Sequence, residues 1–198
     1  FADNDRPGIM QAGAVRGYVN RFAATPAEHV AVFTNNDDGH RTATDLAAAG
    51  VDVAAIIDSR PDAPKSEVAE VLAGAVVTGT GGRLGIGHVD IRLAGGGRKH
   101  VQCGALAVSG GWNPNVHLTC HHRGRPAWQD DICAFVPGEG VPPGMAVAGA
   151  ARGVFSTAGT IGDGQAQAIA QLAEIGIAAV ADTLPEAEDA PVRVTPLW

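Results

Sequence analysis

Residues 29–58 constrain the fold more than any other stretch of this 198-residue chain. They open with the apolar run HVAVF at 29–33, pass through an Ala-rich segment at 41–49, and close with VDVAAII at 51–57. Short apolar runs on either side of a helical segment form a strand–helix–strand unit, and strands apolar on both faces belong to a parallel sheet covered on both sides. Gly50 sits where the helix should end, since the left-handed turn that closes a helix favours a residue without a β-carbon. An α/β protein is expected.

The rest of the chain reads around that unit. Residues 7–24 are a turn at Pro7-Gly8 and then a helix, with Met10, Ala14, Val15, Val19 and Phe22 at helical spacing. After residues 68–72 come a strand at 75–78, a glycine-rich turn at 79–87, and the alternating HVDIRL of 88–93, which ends at Gly95-Gly96-Gly97. These make a β-meander. A third region holds a strand at 105–108, a loop at 109–115, a short strand at 145–148 and a helix from about 160 to 175, with Ala166, Ile169, Ala170, Leu172 and Ala173 on one face. Beyond Leu184 the chain is acidic and Pro-rich.

Composition excludes several function classes. Net charge is −7 and no block of Lys or Arg occurs, which argues against nucleic acid and anionic membrane as partners. No apolar run approaches the roughly 20 residues of a membrane-spanning helix, and residues 1–5 are not a signal peptide. The first residue is Phe rather than Met, so a longer parent chain is expected. Three cysteines, Cys103, Cys120 and Cys133, are too few for a disulfide scaffold, and a reducing cytoplasm is expected.

The strand–helix–strand unit invites a dinucleotide. In such units the first strand runs into G-x-G-x-x-G, whose missing side chains let backbone N–H groups approach a pyrophosphate. Here the three positions are Thr34, Asn36 and Gly39, and Asp58 stands near where an acid would hold a ribose hydroxyl. Two glycines are gone, and Asp37 and Asp38 put negative charge where phosphates would lie, so the unit is expected to serve packing. The run Gly79–Gly85 precedes an alternating strand instead of a helix, and hairpin punctuation is its expected role. His117, Cys120, His121 and His122 form an H-x-x-C-H-H loop without the second ligand pair of a structural zinc site, so no metal is expected. No Ser-His-Asp order or H-E-x-x-H occurs, and no catalytic residue is expected.

Residues 145–164, MAVAGAARGVFSTAGTIGDG, carry a stronger signal. A strand ending at Gly149 and a following helix match the segment with which two-domain flavoproteins close their FAD domain, where an Asp after the Gly holds the ribityl chain. Ala150 occupies that position and cannot grip a hydroxyl, but its N–H and the helix end can face a pyrophosphate.

Taken together, FADNDRPGIMQAGAVRGYVNRF, VAVFTNNDDGHRTATDLAAAGVDVAAIIDSRPD, AVVTGTGGR, LAVSGGWNPNVHL and VAGAARGVFSTAGTIGDG resemble the α subunit of heterotetrameric sarcosine oxidase, over residues 1–182. The resemblance implies a Rossmann-like FAD/NAD(P)-binding two-domain α/β fold in three layers, with the first dinucleotide domain incomplete. It divides the chain into a connector and helix at 1–25, a degenerate second NAD-type domain with the meander at 26–104, the returning half of the first domain at 105–182, and a linker at 183–198. It also implies oxidative demethylation of sarcosine to glycine, with oxygen as acceptor and tetrahydrofolate taking the one-carbon unit, in a complex with β, γ and δ subunits. NAD would belong to this subunit, with Gly149, Ala150, Phe155 and Thr157 as the matching contacts, and FAD and FMN would lie elsewhere in the complex. Two alternatives remain: a non-catalytic pseudo-dinucleotide scaffold, and a subunit of an opine or amine dehydrogenase.

Overall fold

A computed structural model describes residues 1–189 and 193–197. Positions 190–192 and 198 of the expected linker lie outside the described residues. The chain divides into two compact units, one of Phe1–Gly111 with the residues from Thr195 onward, the other Trp112–Val194.

The first unit is built on a five-stranded parallel sheet. Its elements run β1 (Ile9–Gln11), α1 (Ala12–Phe22), β2 (His29–Thr34), α2 (Asp37–Ala48), β3 (Asp52–Asp58), β4 (Val71–Ala73), β5 (Val76–Gly81), β6 (His88–Arg92), β7 (Arg98–Gln102) and β8 (Ala105–Ser109). The sheet order is β1-β8-β2-β3-β4, with every neighbouring pair parallel. β5, β6 and β7 form a separate antiparallel meander.

Alternation along the central strands divides the core into two layers. Val30 and Val32 of β2, Ile56 of β3 and Ala105 and Ala107 of β8 pack with Ala12, Val15 and Val19 of α1 and with Ala43 and Leu46 of α2. The intervening Ala31, Phe33, Ala55, Ile57 and Leu106 pack with Val77, Val89, Ile91 and Val101 of the meander. Successive side chains of a strand point to opposite faces, so a strand apolar at every position has a cover on each side. Helices cover one face and the meander the other, which makes the three-layer, Rossmann-like arrangement.

The structure departs from the sequence reading at several points. The expected helix at 7–24 yields its start to β1, so Met10 is a strand residue, and the buried face of α1 is Ala12, Val15 and Val19 while Ala14 and Phe22 are exposed. The segment 105–109 is hydrogen-bonded between β1 and β2 and belongs to the compact unit that runs to Gly111.

In the second unit the described regular elements are β9 (Pro126–Gln129), β10 (Ala134–Pro137), three short 3-10 segments (Leu118–Arg123, Asp130–Ile132 and Gly149–Arg152) and α3 (Thr157–Glu174). β9 and β10 pair as a hairpin, with Trp128 and Phe135 in edge-to-face contact. Residues 145–148, expected as a strand, have no regular structure. An apolar run becomes a strand only when a neighbour supplies its ladder, and among the described residues none does. α3 starts at Thr157, three residues before its expected position, because Ser156 caps it, and no residue of α3 is buried.

Candidate functional site

Three strand ends meet where a dinucleotide would be expected on the first unit. In open parallel sheets, ligands bind outside the carboxyl ends of the strands where the strand order reverses, and here that point lies between β2 and β8. The chain fills the crevice itself. Asn36 is extended and caps α2, its side-chain oxygen accepting from the N–H groups of Asp38 (3.0 Å) and Gly39 (3.3 Å). Its amide donates to Asn35 Oδ1 and to the Ser109 carbonyl, and the Ser109 hydroxyl donates back to Asn36 Oδ1. Asn35 in turn exchanges hydrogen bonds with the backbone of Thr195. The amides that would meet a pyrophosphate therefore already have an internal acceptor. Gly39, the one fingerprint glycine retained, is needed for packing: a β-carbon there would collide with the Thr34 side chain.

Asp58 is occupied in the same way. Its side chain is fully buried, and so is that of Arg60. Arg60 donates to both Asp58 oxygens and, through Nη1, to Asp37 at 2.7 Å, while His40 Nε2 lies 2.8 Å from Asp58 Oδ2. Burial alone would raise the Asp58 pKa, but the hydrogen bonds from His40 and Arg60 and the guanidinium charge outweigh it and hold the carboxyl below its ordinary value. Burial would likewise lower Arg60, and Asp58 and Asp37 together raise it. On the outer side, Arg16 of α1 pairs with Asp38 and Asp45 of α2. The two acids that spoil the fingerprint, Asp37 and Asp38, are thus both paired with arginines.

The second unit offers a different surface. Ala150 and Phe155 line a cavity of about 420 Å³ together with Ala151 and the segment Trp112-Asn113-Pro114-Asn115. Gly149 and Thr157 are not among its lining residues. Gly149 is buried at φ +63°, where a β-carbon would stand 2.7 Å from Thr160 Cγ2, and its N–H donates to Asp163, which also accepts from Arg152. Thr157 opens α3 and is exposed. At that helix end Gly159 N–H donates to Ser156 Oγ and Ala158 N–H to the Asp189 carboxylate. The contribution of residues 112–115 to the cavity was not among the expected contacts, although the Gly-Gly-Trp-Asn-Pro-Asn stretch was visible as a motif.

The remaining sequence candidates fall elsewhere. His117, Cys120, His121 and His122 spread over a 3-10 segment kinked at His121 and His122, and no three of them converge. Among the described residues, the His/Cys/Asp/Glu group that does converge is His88, Asp90 and His100 on the meander, which the sequence reading missed because it depends on strand register.

No family model matches the chain. Among curated proteins, the sarcosine oxidase subunit alpha of Rhizobium meliloti is 41% identical over 202 residues, covering all of this chain and 20% of that subunit. The sarcosine oxidase subunit alpha of a Corynebacterium species is 37% identical over 212 residues, again covering the whole chain, and 22% of the subunit. The chain thus spans about a fifth of the length of these relatives. Among solved structures, L-proline dehydrogenase from P. horikoshii matches with a TM-score of 0.66 at 18% identity, over 91% of this chain and 33% of that one. Thioredoxin reductase from T. acidophilum matches with a TM-score of 0.58 at 14% identity, over 85% of this chain and 58% of that one. These likenesses show the fold alone, the Rossmann-like α/β type that the three layers and strand order describe. The match to the curated subunits carries further: over its whole length this chain is similar to about a fifth of the sarcosine oxidase α subunit.

Proposed function

We propose that this chain is the part of a sarcosine oxidase α subunit that scaffolds the complex and supplies the returning half of its NAD site. The reaction served is the oxidative demethylation of sarcosine to glycine, with oxygen as electron acceptor and tetrahydrofolate receiving the one-carbon unit, in a cytoplasmic complex with β, γ and δ subunits. The observation that carries this reading is the cavity at Ala150 and Phe155, in a chain matched along its whole length by α subunits.

The donor set suits NAD better than FAD. Ala150 offers no carboxylate for a ribityl hydroxyl, whereas Trp112 and Phe155 offer faces for a flat ring, and Asn113 and Asn115 offer amides for hydroxyl or carboxamide groups. When bound, NAD would supply a ring able to accept or release hydride. The chain's own residues bind and orient it, and amine oxidation belongs to a flavin held elsewhere in the complex. The helix end at α3 already has the carboxylate of Asp189 on one amide, so a pyrophosphate arriving there must displace it.

The scaffold reading applies to the first unit, where Asn36 and Arg60 occupy the nucleotide crevice from within. Ala151→Trp in the full-length subunit, which fills the cavity, is expected to lower the NAD that copurifies with the complex by tenfold or more. Undiminished NAD content would refute the assignment. Sarcosine-dependent hydrogen peroxide from the assembled complex separates the oxidase from an opine or amine dehydrogenase, which passes its electrons to a carrier.

A further inference from the structure

The meander carries a cluster of donor groups apart from both nucleotide regions. β6 sends Val89 and Ile91 into the core, so His88 and Asp90 take its opposite face. β7 runs antiparallel to it and sets His100 directly across from Asp90. Asp90 Oδ1 then lies 2.6 Å from His100 Nδ1 and 3.6 Å from His88 Nε2, and the two rings meet edge to face. The three donor atoms fall within 4.8 Å of one another.

Two further features mark this cluster. Asp90 Oδ1 is the one buried side-chain polar atom among the described residues without a hydrogen bond, because the His100 ring nitrogen is close but not aligned with it. On the other side, β5 places glycines opposite both members from β6, Gly79 across from Asp90 and Gly81 across from His88. A β-carbon at Gly81 would collide with the His88 ring, and one at Gly79 would stand 3.4 Å from Asp90 Oδ2. The glycine run that reads as hairpin punctuation thus makes room for the donors.

We propose that His88, Asp90 and His100 bind a divalent transition-metal ion of the zinc class. Two imidazole nitrogens and one carboxylate oxygen suit zinc, nickel or copper, whereas calcium and magnesium seek more oxygen ligands. Tetrahedral bonds of about 2.0–2.2 Å separate ligand atoms by about 3.3 Å. The 3.6 Å separation is already near that value, and the 2.6 Å one reaches it by a small rotation of His100, whose side chain is 66% exposed. Three protein ligands leave the fourth position to water.

The test uses the full-length protein, stripped of metal with a chelator and titrated with zinc chloride by calorimetry, beside His100→Gln and His88→Ala. Parent protein is expected to take up one more equivalent than either variant, or to bind that equivalent at least about tenfold more tightly. Zinc should also raise the Tm of the parent and leave that of His100→Gln unmoved. His100→Gln alters an exposed side chain, and an unchanged zinc-free Tm separates loss of a ligand from loss of fold. Equal stoichiometry and affinity in parent and His100→Gln would overturn the assignment, as would a parent that binds no zinc.

Discussion

Asp58 is the residue at which packing and lost function meet. A carboxylate at this strand end would be available to a ribose only if nothing else held it, yet Arg60 and His40 enclose it. Arg60→Met removes the guanidinium that pairs with both Asp58 and Asp37 and is expected to cost about 3–5 kcal/mol in urea unfolding, because a buried carboxylate is left with only His40 and the backbone N–H of residue 60. Adding Asp58→Asn should recover part of that loss, since the two sites share one network. A strictly additive double variant would contradict the coupling. The pH dependence follows from the direction of the shift. The folded-state pKa of Asp58 lies below its ordinary value of 3.8, so this contribution is complete above about pH 4 and falls away as acid protonates the group. Parent stability should therefore drop more steeply below pH 4 than that of Asp58→Asn. Cys103 makes a second case at this scale. Burial pushes its thiol up to about 11, against a small opposing hydrogen bond involving Ala31. Iodoacetamide at pH 8 should leave Cys103 unmodified until denaturant is added, as read by peptide mass spectrometry. Alkylation of the native thiol would sink that expectation.

At the scale of elements, the end of β2 and the start of α2 show how a nucleotide turn becomes a structural one. Asn36→Gly restores the second glycine of the fingerprint, with Thr34 still at the first, but removes the cap and the buried bonds to Asn35 and Ser109. The buried hydrogen bonds are worth about 1–3 kcal/mol, whereas a glycine cap by itself costs only a few tenths. Asn36→Gly should therefore lower stability by about 1–3 kcal/mol without creating NAD binding. A variant as stable as the parent would show that the Asn36 side chain does not hold this turn, and one that gains NAD affinity would show that Asn36 alone keeps a nucleotide out of the crevice. The same elements show what was legible in the sequence. β2 and β3 were readable because strands buried on both faces are apolar at nearly every position, and α2 because its buried Thr42, Ala43 and Leu46 repeat at helical spacing. Its start at Asp37, four residues before the expected 41, depends on the Asn36 side chain, which propensity does not report. β7, with the sequence RKHVQ, was missed because one buried residue, Val101, leaves almost no apolar pattern. Residues 145–148 had the pattern of a strand but no partner. Of the candidate cofactor contacts, Ala150 and Phe155 line the cavity, and the arrival of Trp112 beside them is a tertiary fact that no local period encodes.

At the scale of the whole molecule, the two units differ in what they can bury. The first has two apolar layers, one on each side of its sheet. In the second, Ala134 is the only buried hydrophobic residue among those described, and the 18-residue α3 has none. Ordering a residue costs about 1–2 kcal/mol of backbone entropy, and apolar burial returns about 25 cal/mol per Å². A helix with one apolar side and nothing buried lacks that return, which is the expected condition of a returning half-domain whose sheet lies elsewhere in the subunit. Hydrogen exchange tests this directly. In the 198-residue chain, amides of β2, β3 and β8 should exchange only through global unfolding, while those of α3 exchange by local opening orders of magnitude faster. In the full-length subunit α3 should gain protection, and saturating NAD should add to it as binding to the folded state does. Protection of α3 equal to that of β2 in the 198-residue chain would mean that this unit completes its own fold, and the half-site reading would fail with it.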